Sequence, residues 1–430
     1  MINKIEKLKL SKKILVVLAV ILICLILGYL ALVAVYCLPR ESMQKNLEES
    51  STYFETEGAY HLLMHGENSQ LDNFTDALML LTAAHPRHST VFKDAINGEH
   101  YSVSAGRLDM GISTVYHENA DQLKVVKYTR YWHGYLVFLK PLLSVFNYGY
   151  IRSIMMFVQL GLFVGVALKL SKRESRLVFP FFVTGVFLNL PITAISLQYN
   201  TVLIISMLAM LAIMSFEKRL GSENSFCWSL FFLLIGILTS YFDLLTYPLV
   251  SLGLPLTLWI VLFFSNKTID NIKRIVQLSF FWCIGYGGMW SLKWVLGSVI
   301  TRTNLISDAI NQILGRTSSD FMGTRITYFD VIYAQLRSSF QIPWLLLVVV
   351  SIVLFVFFAR KTKTINWTVI LTFGMLGLYP LVWYFVLKNH SYIHSWFTYR
   401  ELAITNFAII SSIMLHQDKG NRKKNVHEMY

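Results

Sequence analysis

Four polar side chains crowd a short connector, LKNHSYIHSWFTYREL (387–402), where turn formers would ordinarily suffice. They are His390, His394, Arg400 and Glu401, interleaved with Tyr392, Trp396, Phe397 and Tyr399. His390 and His394 are four apart and share a face if the segment is helical. Such a pair suits proton transfer or hydrogen bonding to an anionic group. A divalent cation can use the same spacing, but no third ligand can be named and the sequence requires no cofactor. Arg400 offers a planar fork that fits phosphate; its alternative is an ion pair with Glu401 or another carboxylate.

The stretch QLDNFTDALMLLTAAHP (70–86) carries Asp72 and Asp76, again four apart. Both are candidates for a general base. Asp72 or Asn73 could instead cap the helix predicted by the composition of Ala77–Ala84, an explanation that fits Asp76 less well. Upstream, Glu55 and Glu57 read equally as a solvated loop or as part of a site, and Asn73-Phe74-Thr75 matches a glycosylation sequon. SYFDLLTYP (240–248) sets Asp243 at the end of an apolar run, where a carboxylate is costly unless it faces protein, water or a ligand. GYGGMWSLKW (285–294) sets Lys293 between Trp290 and Trp294. That lysine either snorkels to an interface or meets a lipid phosphate, with Gly285, Gly287 and Gly288 permitting close approach. Arg130 and His133, in TRYWHGYLVFLKPLLSVFNYG (129–149), join the candidates for holding a lipid phosphate.

The elements that must position these residues are apolar. The 430-residue chain is 55% hydrophobic and 15% charged, with mean hydropathy +0.51, which places it among polytopic membrane proteins. Runs able to span a bilayer recur at 14–38, 151–170, 177–195, 201–216, 226–245, 249–264, 275–300, 343–359, 367–387 and 402–415. The expected fold is therefore an all-α, polytopic membrane helical bundle of about ten transmembrane helices. The basic residues set its orientation. Lys4, Lys7, Lys9, Lys12 and Lys13 precede the first run. Alternate crossings put Lys169/Lys172/Arg173/Arg176, Lys218/Arg219, Lys267/Lys273/Arg274, Arg360/Lys361/Lys363 and the tail lysines on the same side. Much of the +13 net charge is thus a topology signal, and nucleic-acid binding is a poor reading.

The resulting organisation is a cytoplasmic basic N-terminus (1–13), a first span (14–38) and a long outer loop (39–149). A transmembrane bundle (150–300), a second outer loop (301–342), C-terminal spans (343–415) and a cytoplasmic tail (416–430) follow. The count requires that 129–149 lie at the interface rather than cross. The first run reads as an uncleaved signal anchor. Nine of the eleven histidines then fall on the outer side, with most carboxylates, so the outer surface is where chemistry is expected. A multi-pass plasma-membrane protein, bacterial in its short basic loops, is the expected setting. Cys24, Cys37, Cys227 and Cys283 lie in or beside spans and outline no disulfide framework.

LDNFTDALML and RYWHGYLVFLKPLLSVFNYGYIR (130–152) resemble the first-loop acidic motif and the Pro-Leu juxtamembrane helix, followed by an arginine, of the GT-C superfamily. These are multispanning glycosyltransferases that use polyprenyl-phosphate-linked sugars. The resemblance is strongest over about the first 170 residues and architectural thereafter. It implies a carboxylate near Asp72 or Asp76 as general base on an acceptor hydroxyl, and basic residues of later loops gripping the lipid phosphate. The implied partners are a polyprenyl-phosphate sugar donor, membrane lipid and a glycan or lipid acceptor. Independently, sugar transfer needs a carboxylate for the hydroxyl proton and cations for the departing phosphate. Trp132, Trp396 and Tyr399 would supply apolar platforms. Rival readings are a lipid-linked glycan polymerase or ligase, a flippase, and a non-enzymatic scaffold. Apolar mid-span segments weigh against transport. A scaffold predicts that Asp72, Asp76, Asp243, His394 and Arg400 are scattered in space.

Overall fold

A computed structural model describes residue 6 and residues 8–102, 124–223, 225–339 and 366–427, the last twelve as helix path alone. The expected span 343–359, the basic loop 360–363 and His117 lie outside the described residues. The described chain is mainly helical, with two short two-stranded hairpins. Helix α1 (Leu10–Tyr36) leads to α2 (Glu41–Glu49), α3 (Asn73–Ala84), α4 (Val91–Asn97) and α5 (Leu136–Leu143). Strands β1 (His100–Tyr101) and β2 (Val125–Val126) pair antiparallel between α4 and α5. Then come α6 (Tyr148–Arg173), α7 (Val178–Phe187), α8 (Leu197–Leu220), α9 (Phe226–Phe242), α10 (Val250–Leu262) and α11 (Thr268–Thr301). Helices α12 (Leu305–Thr317) and α13 (Tyr328–Ser339) make up the second loop, and α14 (Trp367–Gly377), α15 (Tyr379–Val386) and α16 (Ala403–His427) complete the described chain.

Four helices are long and apolar enough to cross a membrane: Leu10–Tyr36, Tyr148–Arg173, Leu197–Leu220 and the continuous Trp367–Val386. Their outward faces stay apolar. Along α1, Leu15, Leu18, Leu22, Ile26 and Leu30 are all exposed, as expected where lipid rather than water is the neighbour. The chain is a membrane protein on this ground. Helix α5, at eight residues, is about 12 Å long, too short to cross.

The apolar interior has two parts that share one wall. One part gathers α6, α7, α8, α10 and α16 around Trp228, Trp259 and Trp282; the other gathers α1, α2, α3 and α5 around Trp132, Tyr135 and Tyr148. The wall is α9 against α11, both of which contribute to each part. Two glycines let these helices touch backbone to backbone. A Cβ on Gly285 would stand 2.1 Å from the Leu233 carbonyl oxygen, and one on Gly236 would stand 2.2 Å from that of Trp282. Small residues at such crossings are the usual device for close approach between membrane helices. Gly287, by contrast, faces open space, and Gly288 meets only Ile21. Gly285→Leu is therefore expected to cost about 1–3 kcal/mol through forced separation of α9 and α11. Gly287→Leu is expected to be neutral, and thermal melts of the purified variants compare the two.

The bundle has two unlike ends. At one, Arg173 pairs with Glu217, Arg274 with Glu223 at 3.1 Å, and Glu6 accepts from Ser225 Oγ and the Phe226 amide. Thr268 meets Thr368 there. At the other end, 39–102 and 124–149 fold over α11 and meet α12, α13 and the 387–402 connector. All candidate site residues lie at this second end.

Candidate functional site

Where α12 ends, a tight turn brings β3 (Asp320–Phe321) back along β4 (Thr324–Arg325), and Gly323 at φ +79° makes that turn. This hairpin and the C-terminal turn of α12 face the connector across a pocket of about 420 Å³. Gln312, Arg316, Ser318, Asp320, Asn389, His390 and His394 line it.

Arg316 is the organising residue. It donates to His390 Nδ1 at 2.6 Å and to the Tyr131 hydroxyl at 3.1 Å. A guanidinium can only donate, so Nδ1 must be the acceptor and the imidazole proton sits on Nε2. That proton goes to the Leu245 carbonyl at 3.0 Å. His390 is thus held as one neutral tautomer, and burial, then the charges of Arg316 and His394, push its pKa well below the ordinary histidine value. His394 stacks on Phe397 with ring centroids 5.1 Å apart; burial and Arg316 bring it down to about 4. Its Nδ1 is buried without a hydrogen-bond partner among the described residues. Arg316 has no carboxylate within ion-pair distance among the described residues, although Asp320 lines the same pocket. Asp320 Oδ1 accepts the Gly323 amide at 3.1 Å, and the backbone carbonyl of Asp320 accepts from Asn389 at 2.5 Å.

Arg400 is set apart from this pocket. It is fully buried, with its guanidinium 4.5 Å from the Tyr199 ring centre and 4.9 Å from that of Tyr399. Among the described residues it donates to three carbonyls, those of Leu188 and Trp396 at 3.2 Å and Asn68 at 3.4 Å. The ion pair with Glu401 is not formed; that carboxylate accepts the Leu249 amide instead, at 3.2 Å. Arg400 ties three chain segments together beneath the connector.

Asp72 and Asp76 do share a helix, and the two carboxylates have different tasks. Asp76 is completely buried and accepts from Tyr148 at 2.7 Å and from the Leu197 and Gln198 amides at 3.0 Å. It therefore anchors the N-terminus of α8, where free amides and the helix dipole favour an anion. Burial raises its pKa against the pull of Tyr148, Arg152 and those amides. Asp72 caps α3 by accepting the Thr75 amide and hydroxyl, each at 3.0 Å, and burial pushes its carboxyl up to about 7. Because the pKa is above the 3.8 of an unhindered aspartate, the folded state binds the extra proton between those values. The ionised carboxylate weighs on the fold increasingly as pH rises from about 4 to 7. Asp72→Asn is expected to melt higher than wild type above neutrality, with the difference shrinking towards pH ~4; a melting series over pH reads this.

Glu57 belongs to neither a solvated loop nor the pocket. Arg152 holds it through two bonds of 2.8 and 2.9 Å. Asn73 completes the set, accepting from Arg152 at 2.6 Å and donating to Glu57 at 2.9 Å. Burial raises Glu57, but the bonds and charge of Arg152 outweigh it and hold the carboxyl below its usual range. Asn73 is fully buried, so its sequon presents no accessible amide.

The remaining candidates are distributed. Asp243 closes its own turn, accepting the Thr246 amide at 3.1 Å and hydroxyl at 2.5 Å. Lys293 is buried and donates to the Ile96 carbonyl at 2.8 Å, over the Trp132 ring. Arg130 pairs with Asp308 at 3.6 Å. His133 has φ +54°, bonds Tyr135 and the Tyr128 carbonyl, and is pushed down to about 3, mainly by burial. Tyr131, beside Arg130, joins this neighbourhood to the pocket through Arg316. Among the described residues, no three metal-ligating side chains converge. Arg316 and Asp320 of the second outer loop line the pocket with His390 and His394; nothing in their local spacing sets them apart from Arg302, Arg325, Arg337, Asp308 and Asp330 of the same loop. No protein-family model, curated protein or solved structure matches the chain.

Proposed function

We propose that this protein is a membrane glycosyltransferase that moves a sugar from a polyprenyl-phosphate-linked donor to an envelope glycan or lipid acceptor. The observation that carries this reading is Arg316, a cation free of any carboxylate among the described residues, on the wall of the 420 Å³ pocket. Beside it, Ile306, Ile310, Ile313 and Leu314 of α12 are exposed and form an apolar stripe leading away from the pocket. A phosphate ester of a long-chain lipid needs both features, a fixed cation for its head and an apolar surface for its chain.

In the reaction, an acceptor hydroxyl oxygen bonds to the anomeric carbon of the donor as its proton passes to a carboxylate. The bond between that carbon and the phosphate oxygen breaks, and the lipid phosphate leaves with the electron pair, stabilised by Arg316. Asp320 takes the base role because it is the carboxylate on the pocket wall. Asp76 is committed to the start of α8, and Asp72 to the start of α3. His390 holds the Arg316 fork in place, and His394 offers Nδ1 to the ligand.

The topology of about ten spans, with both termini cytoplasmic and the pocket outside, is part of the proposal. Its support is the gathering of the basic connectors at the bundle end opposite the pocket. Mass spectrometry of envelope glycans tests the whole reading in cells carrying wild type, a deletion, Asp320→Asn or Asp72→Asn at matched membrane levels. Loss of one sugar in the deletion and in Asp320→Asn, but not in Asp72→Asn, is expected. Shortened glycans of unchanged composition would indicate a polymerase instead, and unaltered glycans would overturn the reading.

A further inference from the structure

Helix α13 is turned inside out for a helix in water. Of its four buried residues, Val331, Gln335, Ser338 and Ser339, three are polar. Gln335 donates to the Ser391 carbonyl at 2.5 Å and accepts from the Thr398 hydroxyl at 3.1 Å. Ser338 donates to Glu67 at 2.9 Å. The outward side carries Phe329, Tyr333 and Leu336, which recur at helical spacing; all three are exposed, Phe329 to 75%. A water-facing helix shows the reverse arrangement, with its apolar side in and its polar side out. The charges that flank the apolar side are already satisfied. Asp330 accepts the Thr327 amide at 2.8 Å and hydroxyl at 2.7 Å, and Arg337 pairs with Glu67 at 2.9 Å.

The hairpin that precedes α13 supplies an independent sign. Its turn is the two-residue loop Met322-Gly323, closed by the pair Phe321 and Thr324. Both loop residues have positive φ, +51° and +79°. Turns of that kind ordinarily take Asn, Asp or Gly, which tolerate the conformation. Methionine is strained there, and at 89% exposed it gains little packing within the chain. A long apolar side chain held outward at a strained tip calls for a neighbour outside the chain.

What covers these groups follows from where α13 begins. Its first residue, Tyr328, packs against Phe385 with ring centroids 4.8 Å apart, and Val331 packs with Tyr384. Tyr384 and Phe385 belong to the last turn of Trp367–Val386, one of the helices long and apolar enough to cross a membrane. On that helix the exposed Leu378, Val382 and Val386 run up one side to the same place. Tyr328 and Phe385 are themselves exposed, so they join this lipid-facing surface to Phe329 and the apolar side of α13. The Lys388 ammonium lies 4.0 Å from the centre of the Tyr328 ring. Tyrosine and lysine gather in this way where spanning helices meet the headgroups.

We propose that α13 and the Met322 tip are seated in the bilayer leaflet on the pocket side. Phe329, Tyr333, Leu336 and Met322 lie among the acyl chains just below the headgroups, and α13 runs along the interface without crossing. The occupant is lipid because the surface continues one that lipid already covers. The inference rests on the membrane-crossing helices and not on the transfer reading. The same hairpin bounds the Arg316 pocket, which therefore opens at headgroup level, within sideways reach of a ligand borne on lipid.

Photolabelling of the unaltered protein tests this, in liposomes containing a phosphatidylcholine with a diazirine in its acyl chain. Trypsin should release 317–325, which holds Met322, and 326–337, which holds Phe329, Tyr333 and Leu336. Both peptides are expected to carry lipid adducts. A spin label at Phe329→Cys in nanodiscs then reads depth, with Cys24, Cys37 and Cys283 replaced by serine and the buried Cys227 kept. Leu22→Cys on the exposed side of α1 and Glu55→Cys in the first loop serve as references. At Phe329→Cys, collisions with oxygen are expected to exceed those with a water-soluble nickel chelate, as at Leu22→Cys and opposite to Glu55→Cys. Lack of adducts on 326–337 while α1 is labelled would overturn the inference, as would nickel access equal to that at Glu55→Cys. Exclusion of both reagents, with spin–spin broadening that vanishes on dilution with unlabelled chains, would give the surface to a second copy and overturn it too. Neither measurement reads sugar transfer, so a failure here leaves the Arg316 reading to its own test.

Discussion

Replacing Arg316 with alanine is expected to lower sugar transfer about 10²–10³-fold while the protein stays folded in the membrane. The size follows from what the guanidinium does. It is the charge that a departing lipid phosphate would meet, and removing one preorganised donor from a developing anion typically costs that much. The fold loses less, since Arg316 makes two side-chain bonds, to His390 and Tyr131, and no ion pair among the described residues. Arg316→Lys should recover only part of the rate, because an ammonium cannot reproduce a planar fork that holds His390, Tyr131 and phosphate together. A merely structural arginine would behave differently. It would lower the melting temperature and the amount of protein in the membrane together, with transfer per molecule unchanged. Quantifying the envelope sugar against protein level separates the two, and full transfer per molecule in Arg316→Ala would remove the pocket from the mechanism.

What the sequence made legible was local. Hydropathy marked ten apolar runs, of which four helices among the described residues are long and apolar enough to cross a membrane; the composition of 77–84 pointed to a helix with Asp72 or Asn73 as its cap, and Asp72 is that cap. The sequence was silent on partners. Asp76 bonds to Leu197 and Gln198, more than a hundred residues away, and no pattern within 70–86 distinguishes an anchor for a distant helix from a catalytic base. Arg400 showed the same limit. Its neighbour Glu401 was the obvious partner, yet the short helical turns between Ser395 and Leu402 point the two side chains to different segments. His390 and His394 do come together, with ring centroids 4.8 Å apart, but the residue that gives the pair its meaning, Arg316, comes from the second loop. Lys293, Arg130 and His133 were read as phosphate ligands because cations at membrane ends often are. Here a carbonyl, an aspartate and a hydroxyl take them up. Residue type and spacing show where charge can gather; only the fold shows which charges are already satisfied.

Glu57 and Arg152 carry the largest expected effect on stability. Arg152→Ala should destabilise the protein by about 3–5 kcal/mol, the usual consequence of removing one partner of a buried ion pair. The side chains are 21% and 9% exposed, so water can do little to compensate. The loss extends beyond the pair. Arg152 also donates to Asn73 and lies 4.2 Å from the centre of the Tyr148 ring, and Tyr148 in turn bonds Asp76 at the start of α8. Removing the guanidinium leaves Glu57 as an unpaired charge, withdraws a cation from Asp76, and loosens the joint between the first loop and the bundle. Removing both charges should be milder than removing one. In Glu57→Gln/Arg152→Gln no ion is left stranded, and the amides can still bond each other and Asn73. The expected pattern is therefore strong non-additivity, with the double variant more stable than the single variant Arg152→Gln. Denaturation of the four proteins of that cycle in one detergent measures it. If the single and double losses simply add, Glu57 and Arg152 act independently and the joint must be held by the Asp76 and Tyr148 contacts alone.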